Sequence, residues 1–289
     1  MKRKEFLKTS AAFTLGGLMI PDFLKAEKIK DIGVQLYTLR DNVDKDVLAT
    51  LEAVSKLGYS LVEGYYVEKG HFYGYKPLEF KKILSDMGLK MPSTHVLTGR
   101  AQPEIKSSMA NNWEKIVEEM NVYGIKYIVC PWIHADERKS IDDYKKLAEF
   151  LNKKAELSMK TGIKLAYHAH DFEYMPLEGQ TPYEVLLKEC DPKLVDFELD
   201  LYWVKKGGKD ALTYIQNNPG RFPLWHVKDM DKEKSFFTEV GNGVIDFKTI
   251  FKQATKAGLK YAYVEQDICP GPPLDSVKIS YNYLKSMNY

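Results

Sequence analysis

The stretch KLAYHAHDFEYMPLEGQTPYEVLLKECDPKLVDFELDLYW, residues 164–203, contains one complete structural unit. A β-rich run (KLAYHAH) leads into a polar loop, then a helical segment that stops at Asp191-Pro192, then a second β-rich run (LVDFELDL). Proline ends the helix because it lacks an amide donor and crowds the preceding turn. Two strands joined across a helix run parallel, with a right-handed crossover.

The same unit recurs on both sides of this stretch. Strand candidates begin near Ile32 (IGVQLY), Ser60 (SLVEGY), Met91 (MPSTHV), Lys126 (KYIVCPW), Lys164, Leu194, Phe222 (FPLWHVKDM) and Tyr261 (YAYVEQD), eight in all. Between them, Val47, Leu48, Leu51, Val54 and Leu57, then Tyr144, Leu147, Ala148, Leu151 and Ala155, and later Phe247, Ile250, Phe251 and Ala254 recur at helical spacing. Gly58, Gly88, Gly124, Gly162 and Gly258 follow such segments, where a left-handed C-terminal cap favours a residue without Cβ. A second helix end stands at Asn218-Pro219-Gly220. Eight such units close into a (β/α)8 TIM barrel, and 289 residues suit a single barrel of about 250. Residues 27–289 are therefore assigned to one α/β barrel domain.

The first 26 residues differ in kind. Lys2, Arg3, Lys4 and Lys8 precede a short apolar run from Ala11 to Ile20, which Pro21 ends. This is the layout of an export signal of twin-arginine-like or Sec type, and it implies a periplasmic or otherwise exported protein, or a cytoplasmic one if the leader is not functional. The run is too short for a membrane span, which needs about 20 residues. Lys and Arg total 42 against 40 Asp and Glu, and no basic stripe is present to neutralise a nucleic-acid backbone. Three cysteines without close spacing write neither a disulfide framework nor a thiolate zinc site.

In such a barrel the site forms at the C-terminal strand ends, and side chains at i and i+2 share a face. Strand 5 ends in His168 and His170, strand 6 carries Glu198 and Asp200, strand 7 His226 and Lys228, and strand 8 Glu265 and Asp267. Gln35, Tyr37, Glu63, Tyr65, Ser93 and His95 come from strands 1 to 3. Imidazoles and carboxylates converging in a dry interior repel or stay unsatisfied unless a cation holds them together. A mixed N/O set favours Mn²⁺, Zn²⁺ or Co²⁺ over Mg²⁺. Gln35, Glu63 and His95 are candidates for contacts with substrate hydroxyls, with internal satisfaction of barrel polar groups as the alternative. Trp132 and Trp203, with Tyr37, Tyr65 and Phe72, are candidates to wall a small ligand by stacking. Gly70, Gly74 and Pro77 bracket His71, Phe72 and Tyr73 as an aromatic cover after strand 2. Val240-Gly241-Asn242-Gly243 has the glycines of a phosphate-binding turn, but Asp246 suits a helix N-cap and the motif is short.

The runs YHAHDFEY, FELDLYW, WHVKD and VEQD on strands 5 to 8 resemble the xylose isomerase-like barrel superfamily, and in particular its sugar phosphate isomerase/epimerase proteins. The resemblance implies one metal bound by a ligand from each of these strands. Asp200, His226 and Glu265 match three of those ligands, while His168 replaces the glutamate of strand 5. It further implies proton abstraction next to a carbonyl, with Glu265, His170, Glu173 and Lys228 as acid/base candidates. The expected activity is isomerisation or epimerisation of a free sugar or keto-sugar. Loss of the strand 5 glutamate makes a dehydratase, hydratase or lyase the alternative, and a non-catalytic sugar-binding barrel or an endonuclease is less favoured. The partner is a small sugar or polyol, and assembly into a homo-oligomer is left open.

Overall fold

The computed structural model describes residues 31–65 and 70–287. The export-signal assignment to residues 1–26 therefore falls outside them. The strands are β1 (Gly33–Gln35), β2 (Leu61–Gly64), β3 (Lys90–His95), β4 (Tyr127–Cys130), β5 (Lys164–His168), β6 (Val195–Asp200), β7 (Leu224–Val227), β8 (Asp229–Met230), β9 (Phe237–Thr238) and β10 (Tyr261–Val264). Eight of them close into a parallel barrel in the order β1-β10-β7-β6-β5-β4-β3-β2, with helices between, so the chain is a (β/α)8 barrel. No helix among the described residues is long and apolar enough to cross a membrane.

The helical spacings translate directly into buried faces. The helix Val47–Leu57 buries Thr50, Leu51 and Val54, its first turn is capped by Asp46 accepting from Ala49 N, and it ends at Gly58 with φ of 103°. The helix Ile141–Met159 buries Tyr144, Leu147, Ala148, Leu151 and Ala155. The segment expected as one helix from Phe247 is split into Phe247–Phe251 and Ala254–Ala257.

Alternation along the strands divides the interior in two. Outward residues such as Val34, Val62, Ile128, Leu165, Tyr167, Phe197, Trp225 and Val264 pack under the helices in the large outer core. Inward residues Leu61, Tyr127, Val129, Ala166, Leu224 and Tyr263 form a separate apolar plug in the lower barrel. Gly33 makes room for that plug, because a Cβ there would lie 2.3 Å from the Tyr263 ring. The polar residues stack above the plug, towards the C-terminal strand ends.

Two loops depart from expectation. The run read as a long seventh strand stops at Val227, and Asp229–Met230 instead pairs antiparallel with Phe237–Thr238. The cause is the Asp229 carboxylate, which accepts from the amides of Met230, Gly241, Gly243 and Ile245 at 2.8–3.1 Å. Those glycine amides are thereby consumed by the protein's own carboxylate, which removes the phosphate-turn alternative. After β2, Phe72 stacks on Tyr123 with ring centroids 5.3 Å apart, and the Tyr73 hydroxyl accepts from Tyr65 N. Both rings are buried, so this segment is packed core rather than a wall or cover for the sugar.

Candidate active site

The inward residues of β1, β2, β3, β6 and β7 meet first in a deep polar layer. Glu63 occupies its centre, fully buried: Gln35 Nε2 donates to its Oε2 at 2.9 Å, Ser93 donates to its Oε1, and His226 Nε2 lies 2.7 Å from Oε2. His95 Nε2 lies 3.2 Å from both Glu63 Oε2 and Glu198 Oε2. Burial opposes charge here, yet His95 and His226 hold Glu63 well below the usual carboxylate range. Burial likewise opposes the imidazolium of His95, but Glu63 and Glu198 outweigh it and push that group up to about 9. Burial and the adjacent Glu63 raise Glu198.

One step higher, a second layer opens onto a cavity of about 460 Å³. His168 Nε2 lies 3.2 Å from Asp200 Oδ2, and His226 Nδ1 lies 2.8 Å from Glu265 Oε2 and 3.7 Å from Asp200 Oδ2. His168, Asp200, His226 and Glu265 each bring one donor atom within 4.8 Å of all the others, every one of them buried. These are the four side chains read as a ligand set from the sequence. Glu63, His95, Glu198 and His226 satisfy the same distance test in the deep layer.

The two layers differ in how their atoms are satisfied. In the upper one His226 Nδ1 and Glu265 Oε2 face each other, yet neither makes a hydrogen bond of acceptable geometry. Buried polar atoms left in that state are costly, and a cation shared by two imidazole nitrogens and two carboxylate oxygens satisfies them. Borderline N/O sets of this kind suit Zn²⁺, Mn²⁺ or Co²⁺.

Lys228 stands beside this set with its Nζ at 2.6 Å from Glu265, 2.7 Å from Asp267 and 3.1 Å from Asp200. Burial works against its charge, but Asp200, Asp267 and Glu265 prevail and hold it as an ammonium well above its ordinary value. His170 has the reverse environment. Burial, then the neighbouring His168 and Lys228, keep its imidazole neutral, well below the usual histidine range. Its Nδ1 is buried and makes no hydrogen bond.

The cavity is lined by His168, His170, Lys228, Glu265, Asp267 and His95, with Tyr37, Tyr65 and Trp132 as its aromatic wall. Several sequence expectations need correction. Gln35 and Glu63 lie beneath the cavity, bonded to one another, and do not reach its surface. Trp203 packs behind it, against His170 at 4.9 Å and over Lys228 Nζ at 5.2 Å. Glu173 also lies away from the cavity, because the turn Asp171–Glu173 carries it outward, where it accepts from Tyr167 Oη and His170 N. It braces the His170 backbone and does not line the cavity. Asp267 was the residue undervalued from sequence, although it stands in phase, two positions from Glu265, while Glu198, two residues deeper than Asp200, is buried and paired with His95 and His226.

Residues 51–287 match the family model described as xylose isomerase-like TIM barrel. The inosose dehydratase of Geobacillus kaustophilus is 23% identical over 271 residues, covering 81% of this chain and 85% of that protein. A solved sugar phosphate isomerase/epimerase from Parabacteroides distasonis superposes with a TM-score of 0.77 at 29% identity, covering 89% of this chain and 93% of that one. A structure of the IOLI protein with a binding zinc atom superposes with a TM-score of 0.70 at 13% identity, over 88% and 96% of the two chains, and shares the fold.

Proposed function

The chain belongs to the xylose isomerase-like TIM barrel family, and from that premise we propose that it is a dehydratase of a keto-sugar or keto-polyol, dependent on a divalent cation. It is an enzyme of the sugar-modifying kind found on this barrel. His168, Asp200, His226 and Glu265 would hold the cation, which when bound supplies Lewis-acid polarisation of the substrate carbonyl.

The observation that carries the dehydratase reading is the asymmetry of the two proton-handling groups on the cavity wall. Epimerisation by the pattern of the resemblance needs two carboxylates facing the same carbon, and here His168 replaces one of them. Outside the four side chains that would hold the cation, the cavity wall carries a neutral imidazole, His170, and an ammonium, Lys228, beside Asp267 and His95. The pair of His170 and Lys228 suits elimination. His170 takes the proton from the carbon beside the carbonyl, and the C–H electrons form a double bond as the adjacent C–O bond breaks. The departing hydroxyl takes a proton from Lys228 and leaves as water. Return of one proton from His170 to Lys228 through solvent resets both groups. The likeness to an inosose dehydratase over most of both chains supports this choice over the isomerase or epimerase expected from the resemblance.

We read the substrate as unphosphorylated. Among the described residues, Lys228 is the only Lys or Arg lining the cavity, and three carboxylates already surround it. The glycine amides after β9 are taken by Asp229. Residues 1–26 are read as an export signal, which the mature N-terminus determined by mass spectrometry on the exported fraction would test.

The enzyme loaded with Mn²⁺ or Zn²⁺ and incubated in D₂O with an inosose and with common ketoses should give a product lighter by one water. An epimer carrying deuterium at the inverted carbon, with no dehydrated product, would show epimerisation instead.

A further inference from the structure

His226 belongs to both polar layers, and its two ring nitrogens face different partners. Nε2 points down, 2.7 Å from Glu63 and 3.2 Å from Glu198, and Nδ1 points up, 2.8 Å from Glu265. A purely geometric search gives two overlapping quartets with no preference between them. Their hydrogen bonding separates them. Both Glu63 oxygens are engaged, by Gln35, Ser93 and His226, and Glu198 Oε2 is engaged by His95. Of the carboxylate oxygens in the deep quartet, only Glu198 Oε1 makes no hydrogen bond. In the upper quartet the facing atoms His226 Nδ1 and Glu265 Oε2 are the ones left without one.

We infer that Glu63 is a positioning residue: it fixes His226 with the proton on Nε2 and so presents Nδ1 to the upper quartet, while the deep quartet itself takes no cation. This rests on the proposed cation site. The physical basis is that a carboxylate on the far nitrogen of a ligating histidine sets the tautomer and the ring orientation and raises the basicity of the ligating nitrogen. Glu63 is well suited to the role, because Gln35 and Ser93 on the two flanking strands hold both of its oxygens and β2 pairs with both strands at that level, Gln35 with Glu63 and Glu63 with Ser93. Glu198, facing His226 from the neighbouring strand and bonded to His95, approaches the same Nε2 at 3.2 Å.

The test uses Zn²⁺ alone as probe, in competition with a chromophoric chelator, on the full chain and on Glu63→Gln, together with ¹⁵N NMR of the histidine side chains in the Zn²⁺-loaded wild type. The expected results are one Zn²⁺ per wild-type chain, a His226 signal with Nε2 protonated and Nδ1 bound to metal, and affinity weakened by about 10–100-fold in Glu63→Gln with the stoichiometry retained. Two Zn²⁺ per wild-type chain would overturn the inference, because the deep quartet would then be a metal site. Coordination through Nε2, or unchanged affinity in Glu63→Gln, would overturn it as well. The stoichiometry and the tautomer are read on the wild type, so they decide the matter even if the variant does not fold. A wild type that takes up no Zn²⁺ would remove the cation site and this inference with it. Failure confined to the variant or to the tautomer would leave the cation site standing.

Discussion

The Nζ of Lys228 lies 2.6 Å from Oε2 of Glu265, with both side chains at 5% exposure or less, at the level where the barrel interior meets the cavity. Asp200 and Asp267 also lie within ion-pair distance of that ammonium. Lys228 therefore neutralises the carboxylates around it, and in the proposed elimination it would also supply the proton to the leaving hydroxyl. Lys228→Met should destabilise the metal-free protein by about 3–5 kcal/mol in urea denaturation, because it strands buried carboxylates. Added Zn²⁺ should recover part of that loss, whereas turnover should stay at least 10²-fold down. Recovery of turnover along with stability would mean that Lys228 plays no part in the chemistry.

His170 is not among the four side chains that would hold the cation, and burial, then the neighbouring His168 and Lys228, keep its imidazole neutral. His170→Gln is expected to lower kcat by about 10²–10⁴-fold with Zn²⁺ affinity unchanged within a few-fold. A matching loss of Zn²⁺ affinity would place His170 in the metal set and leave the base unassigned.

Glu173 gives a pH dependence with a definite sign. Burial is the dominant cause and pushes its carboxyl from 4.5 up to about 8, against the hydrogen bonds from Tyr167 and His170 N. A carboxyl whose folded value is raised contributes stability fully below its unfolded value and loses it as the pH climbs towards the folded one. The wild type should therefore lose stability between about pH 4.5 and 8, by up to ~1.4 kcal/mol per pH unit from this group. Glu173→Gln can accept from His170 N on its amide oxygen and donate its amide NH2 to Tyr167 Oη, without the charge. Urea denaturation of the two proteins across this range should show the variant gaining on the wild type as the pH rises. Parallel curves would contradict the assignment.

Asp229 is the anchor of the loop after β9. Asp229→Ala leaves the amides of Met230, Gly241, Gly243 and Ile245 without their acceptor and should cost about 3 kcal/mol or more. Inorganic phosphate should not raise the melting temperature of the wild type. A rise would show that the glycine amides are available to an anion after all.

The barrel was readable because its evidence is local. Glycine- or proline-terminated helices with buried stripes and eight β-rich runs repeat within short windows, and alternation alone puts His168, Asp200, His226 and Glu265 on inward faces. What alternation does not give is height within the barrel, which depends on the stagger between strands. His168 pairs in register with Glu198 rather than Asp200, and Asp200 pairs with His226. Glu63 and Gln35 consequently fall below the cavity floor, although they share the phase of residues that line it. Glu173 was misplaced for a different reason, since it lies beyond the end of β5, in a turn where the two-residue period no longer applies. The fate of the glycine turn depended on Asp229, 12 and 14 residues earlier in the chain, and on a hairpin with no signal in the sequence.

The most direct test of the cation site is an anomalous difference map at the zinc edge from crystals of the full chain grown with Zn²⁺. The account predicts one peak per chain, among His168, Asp200, His226 and Glu265. A peak among Glu63, His95, Glu198 and His226, or no peak at either set, would contradict it.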